Sequence, residues 1–159
     1  MIRECTESDV DAIDEIINEA ALKYRGVIPA DCWHEPYMTR EQLLEQIGAG
    51  VRFSGVERDG ALAGVMGLQR VRDVTLIRHA YVRSAEQGRG IGSELLRELI
   101  ARAARPLLVG TWAAATWAIR IYERNGFRLL PRDETDRLLR TYWNIPARQR
   151  EASVVLRCE

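Results

Sequence analysis

The chain has little cysteine, and none of it forms a pattern. Cys5, Cys32 and Cys158 are odd in number and widely spaced. That excludes a disulfide framework or a zinc cluster and fits reduced thiols in a cytoplasm. Neither sign of charge is in excess: Lys plus Arg and Asp plus Glu each number 23, for a net charge of zero. A general nucleic-acid binder would instead carry a basic footprint. No apolar run is long enough to span a bilayer, and the start, Met1-Ile2-Arg3-Glu4, lacks a signal-peptide pattern. No internal repeat or low-complexity linker divides the chain. With 47% apolar and 29% charged residues, the expectation is a cytoplasmic globular protein of one domain over residues 1–159, without nucleic acid, membrane or metal as a partner.

What is present alternates between strand and helix signals. Ile2 to Cys5 reads as a first strand, and Ser8-x-x-Asp11 resembles a capping box opening a helix through Val10, Ile13, Ile17 and Tyr24. A loop over residues 28–37 follows. A second box, Thr39-x-x-Gln42, predicts a short helix ending at Gly48. Residues 51–57 and 61–69 predict a hairpin turning at Asp59-Gly60. Residues 74–82 form a β-rich stretch, and a helical stripe runs from Ile91 to Ala103. A strand at 106–111 completes a strand–helix–strand crossover, hence a parallel pair. A helix at 117–125 capped by Gly126, and strands at 127–130 and 152–157, close the sheet. Between them, residues 135–142 suggest one short helix. The fold class is α/β, a three-layer arrangement with helices on both faces of a mixed sheet.

The junction at Gln87, Gly88, Arg89, Gly90, Ile91, Gly92 and Ser93 carries the chemistry. Glycines permit positive φ and close approach of a ligand to the backbone. The helix that starts there aims unpaired N–H groups at the turn, a ready anion site, and Arg83 and Arg89 would add charge. A tight turn with glycines for geometry alone is the plain alternative. A P-loop would need Gly-Lys-Ser/Thr where Gly92-Ser93-Glu94 stands. A Rossmann fingerprint would need a third glycine at Ser93, and an acidic residue closing the next strand.

Gln87-x-x-Gly90-x-Gly92 after a strand ending in Val82 resembles the acyl-CoA loop of the GNAT superfamily of N-acyltransferases. Downstream, Ala118, Tyr122, Glu123, Gly126 and Phe127 match that family's Ala-x-x-x-Tyr-Glu-x-x-Gly-Phe segment. The resemblance extends over nearly the whole chain. It implies a mostly antiparallel sheet of six to seven strands, with strands four and five splayed around acetyl-CoA as co-substrate. It places the pantetheine arm along Ala80, Tyr81 and Val82, and the pyrophosphate on Gln87 to Ser93. An N–H near Val82 would stabilise the oxyanion, and Tyr122 would protonate the leaving thiolate. The implied reaction is acetyl transfer to a primary amine by direct attack. Many members carry Asn seven residues before the tyrosine, against the CoA arm; here Ala115 replaces it.

The base is open among His34, Glu35 and Glu57. Period-two alternation puts Leu76, Arg78, Ala80 and Val82 on one face of the central strand and His79 on the other; the resemblance implies a strand-four base on the Val82 face, so His79 reads as a structural or surface histidine. Tyr24, Trp33, Tyr37, Tyr142 and Trp143 flank the acceptor side, and Cys32 reads as inert. Two other readings compete with the transferase. One is a non-catalytic acyl-CoA-binding module and the other a nucleotide-binding α/β domain. Balanced charge leaves a small amine, an antibiotic, a peptide N-terminus or a protein lysine open as acceptor. A small molecule is favoured because no accessory docking segment exists. Family resemblance also leaves a homodimer open.

Overall fold

The computed structural model describes all 159 residues, Met1–Glu159. After β1 (Ile2–Glu4), the capping box forms two residues earlier than the sequence suggests. The Thr6 amide donates to Asp9 Oδ2 at 2.7 Å, and a 3-10 turn over Glu7–Asp9 leads into α1 (Val10–Ala20). Asp9 takes the role expected of Asp11 because Arg3 grips its carboxylate with two nitrogens, at 2.8 and 2.9 Å. That bidentate pair spans two elements and leaves no local signature. The second box forms as read. The Gln42 amide donates to Thr39 Oγ1 and the Thr39 amide to Gln42 Oε1, opening α2 (Arg40–Gly48).

β2 (Arg52–Arg58) and β3 (Ala61–Val71) form the expected hairpin. Asp59 and Gly60 both adopt positive φ, 53° and 80°, the geometry that Asp-Gly favours. β4 (Val74–Val82), α3 (Ile91–Arg102), β5 (Leu107–Trp112), α4 (Thr116–Arg124) and β6 (Arg128–Leu129) follow. α5 (Arg132–Tyr142) starts three residues before the expected helix, directly after Pro131. α6 (Ala147–Glu151) was not anticipated, because it buries no residue and so shows no apolar period. β7 (Ser153–Cys158) ends the sheet.

The strands order as β1-β2-β3-β4-β5-β7-β6. Every neighbouring pair is antiparallel except β4 and β5. The fold is thus the expected mixed, mostly antiparallel sheet, with seven strands. On one face Ile91, Leu95, Leu96 and Leu99 of α3 pack with Tyr122 of α4 on Met66, Ile77 and Leu107. On the other, Ile13, Ile16 and Ile17 of α1 and Leu43 of α2 pack on Phe53 and Val65. Leu138 and Leu139 of α5 cover Leu76, Leu108 and Val155 on that same side.

One irregularity shapes the functional region. Val65 of β3 faces Tyr81, and Gly67 faces Arg78, so Met66 stands opposite both His79 and Ala80. His79 is the extra residue of a β-bulge, at φ 56°. Gly67 makes room for it, since a Cβ there would lie 2.9 Å from the Arg78 carbonyl oxygen. The bulge resets the alternation. Ile77, Ala80 and Val82 share the α3 face, while Leu76 belongs to the opposite core. An unbroken alternation grouping Leu76 with Ala80 and Val82 is therefore incorrect. Beyond the bulge β4 also parts from β5: their pairing covers only Thr75–Ile77 against Leu107–Val109.

Candidate functional site

The separation of β4 from β5 leaves one edge of β4 unpaired from Arg78 onward. The Arg83 amide donates to the Ala63 carbonyl of β3 at 2.8 Å. Strand alternation then turns the N–H and C=O of Val82 to the opposite side, toward β5, where no strand meets them. The Gln87 side chain donates to the Val82 carbonyl at 3.2 Å, which ties the turn to the strand end and leaves the Val82 N–H available.

That edge borders a groove of about 470 Å³. Ala80, Tyr81 and Val82 form one wall, and Gln87, Gly88, Gly90, Ile91, Gly92 and Ser93 form its end. Gly90 is the cap of α3, at φ 80°, and Gly88 has φ 81°. A Cβ at either would meet nothing within 4 Å, so backbone conformation rather than crowding requires glycine there. The first-turn amides of α3 lack helical partners and, with the helix dipole, favour an anion at this end. Tyr122 reaches the groove from α4. Burial raises its phenol well above the ordinary tyrosine value, with a smaller contribution from Tyr24. Its ring packs edge-on against Phe127 at 5.5 Å. The one sealed side-chain polar atom without a hydrogen bond is Arg157 Nε, which lies 2.6 Å from Glu159 Oε1. The Tyr122 hydroxyl, which has no protein partner, is therefore open to the groove.

Two predicted cations lie elsewhere. Arg89 does not line the groove; it extends outward to Glu86 at 3.4 Å. Arg83 turns toward α1, donating to the Leu62 carbonyl at 2.8 Å and lying 3.7 Å from Glu19. The groove instead takes its positive charge from Arg120 and Arg124 of α4 and Lys23 near α1, which sequence reasoning missed. A signal existed: Trp117, Arg120, Ile121 and Arg124 follow helical spacing and so share one face of α4. Lys23 lies over the Trp117 ring, 4.4 Å from its centroid.

The proposed bases fall outside the groove. Glu57 binds Arg3 at 2.6 Å, and Glu35 binds Arg25 at 2.9 Å on the surface. Neither they nor His34 line a cavity described here. His79 is packed between Phe53 and Gln46, its Nε2 3.0 Å from Gln46 Oε1. Burial, reinforced by Arg78, pushes its imidazole down to about 3, so the ring is neutral. Ala115 is fully buried among Ala21, Tyr24, Ile28 and Trp112 and does not line the groove.

A second, smaller cavity of about 110 Å³ is lined by Arg78, Thr111, Trp112 and Trp143, with Tyr37 and Tyr24 beside them. Tyr24 lines both spaces. Its ring lies 5.4 Å from that of Tyr37 and 6.2 Å from that of Tyr81. Trp33 stacks on Tyr37 at 6.0 Å. Tyr142 points away, its hydroxyl 2.6 Å from Asp73.

Comparison with known proteins agrees with this geometry. The PaiA N-acetyltransferase of Thermoplasma acidophilum, solved with coenzyme A, aligns with a TM-score of 0.73 at 17% identity, covering 100% of this chain and 98% of its own. The ribosomal-protein-alanine N-acetyltransferase of Brucella melitensis aligns with a TM-score of 0.69 at 23% identity, covering 99% and 98%. YncA of Salmonella typhimurium, a putative acetyltransferase solved with acetyl-CoA, aligns with a TM-score of 0.66 at 26% identity, covering 82% and 80%. No curated protein matches the chain. The model of the acetyltransferase (GNAT) family matches residues 13–127, well over half of the sequence, and the chain belongs to that family.

Proposed function

We propose that this chain is an acetyl-CoA-dependent N-acetyltransferase. It moves the acetyl group to a primary amine of a small molecule or peptide by direct attack in a ternary complex. One observation carries the reading: the glycine turn, the unpaired edge of β4 and the open Tyr122 hydroxyl border a single groove.

The residues present suit acetyl-CoA as co-substrate. The amides from Gln87 to Ser93 would cradle the pyrophosphate, with Arg120 and Arg124 supplying countercharge. The free edge at Ala80–Val82 would accept the pantetheine arm as an added strand. The Val82 N–H would then donate to the thioester oxygen as it gains charge, a fixed dipole that needs no reorganisation. Tyr122 would give its proton to the departing thiolate. Its raised value keeps the phenol protonated at neutral pH.

Calorimetry with acetyl-CoA tests the cofactor assignment. The native chain should bind, and Gly90→Glu, which places a side chain and a negative charge at the pyrophosphate position, should not. Thiol release with a panel of amines then tests catalysis. Tight binding without thiol release for any amine would replace the transferase reading with a binding-only role. Failure of the folded native chain to bind would sink both.

A further inference from the structure

The second cavity contains a cation without a counter-ion. Arg78 is the only charged side chain lining it, since His79 is neutral there. Its Nη1 donates to Gln69 Oε1 at 3.0 Å, a neutral amide, and it belongs to no ion pair. Burial lowers its pKa with no anion opposing the shift. Arg78 is half-buried, and a partly desolvated guanidinium with no carboxylate beside it is a ready anchor for an anion. The bulge at His79 creates this arrangement by turning Ala80 and Val82 to the α3 face while Arg78 keeps the face of Leu76, toward α5.

The surroundings limit what answers that charge. Trp112 and Trp143 give flat apolar walls. Trp143 lies so close to Gly110 that a Cβ there would be 3.2 Å from the indole. The volume, about 110 Å³, suits a small group. The cavity is on the α5 side of the sheet, across the gap between β4 and β5 from the groove, and Tyr24 borders both spaces. A molecule anchored at Arg78 therefore sits at the start of the unpaired β4 edge, beside the Tyr24 that borders the groove.

We infer that the acceptor is a small primary amine bearing a carboxylate, an amino acid in the simplest case, held by a bidentate pair between its carboxylate and Arg78. This rests on the transferase reading above and adds the substrate class. The guanidinium fork matches a carboxylate in plane. The neutral amine nitrogen attacks the thioester carbon as the C–S bond breaks; the amine proton passes to water and Tyr122 protonates the thiolate.

The test pairs L-alanine, L-valine, L-methionine and L-phenylalanine with their decarboxylated amines. Two readouts are taken: thiol release from acetyl-CoA, and the melting temperature of the CoA-saturated protein. The expected result is that carboxylated partners are preferred by about tenfold or more in kcat/KM. Arg78→Met should abolish that preference with CoA binding retained, and Arg78→Lys should restore part of it. CoA binding with turnover of the plain amines at equal or better rates overturns the carboxylate site and leaves the transferase standing. CoA binding in which no carboxylated probe is turned over, or stabilises the protein more than its plain partner, also overturns it. Loss of CoA binding in the native chain would instead remove the transferase reading itself. If Arg78→Met fails to fold, the native preference and Arg78→Lys still decide.

Discussion

At the scale of single residues, the decisive quantity is how burial tunes a titrating group. Tyr122 is 7% exposed, and burial keeps its phenol protonated at neutral pH, as the proposed acid role requires. Tyr122→Phe should lower kcat by about a hundredfold, the usual loss for a positioned acid, with CoA affinity unchanged by calorimetry. An unchanged kcat would return the tyrosine to a packing role. Asp9 shows the opposite shift for a structural purpose. Hydrogen bonds from Arg3 hold its carboxyl down to about 2, against an ordinary 3.8. A depressed carboxyl contributes stability that is present above the unfolded value and is lost as pH falls toward the folded one. The chain should therefore lose roughly 1–2 kcal/mol between pH ~4 and ~2 through this group, and Asp9→Asn should remove that slope in denaturant unfolding at graded pH. Tyr122 was legible because it stands in a motif. The Arg3–Asp9–Glu57 cluster was not, since it joins residues 54 apart.

At the scale of elements, local chemistry was easy to read and cross-strand geometry was not. The Thr39 box and the Asp59-Gly60 turn are complete within four residues, so the sequence carries their whole cause. The bulge at His79 depends on Gly67 in a neighbouring strand. Alternation alone thus kept Arg78 on the face of Ala80 and Val82 and obscured the second cavity. Likewise the spacing of Arg120 and Arg124 on α4 is plain, but only packing shows which way that face points. The glycine turn separates conformation from charge in a single experiment. At φ 80° and with open space around its Cβ position, Gly90→Ala should cost about 1–2 kcal/mol of stability from left-handed strain alone. CoA affinity should fall little. Gly90→Glu should show the same strain and a CoA affinity lower by at least about tenfold, with the difference shrinking as salt is raised. Equal affinities for the two variants would mean that no anion is held at the turn.

At the scale of the molecule, the strand order brings together a turn near residue 90, a helix near residue 120 and aromatics from residues 24 and 37. Among them no strong base is placed to deprotonate the acceptor. Tyr24, Tyr37 and Tyr81 are all raised by burial and remain neutral phenols. His79 is depressed to about 3 and is already neutral, and Glu86, the one carboxylate lining the groove, is taken by Arg89. On the proposed reaction the acceptor therefore sheds its proton to water and reacts as the free base. The acid limb of kcat/KM should then follow the acceptor rather than the protein. For two amines whose own pKa values differ by about one unit, the limb should move by about one unit. Tyr122 adds no alkaline limb below pH ~10, because a raised phenol stays protonated until pH passes its elevated value. A limb fixed near pH ~6–7 for both acceptors would reveal a carboxylate or imidazole acting as base. His34 and Glu35, in the loop before α2, would then be the first positions to substitute.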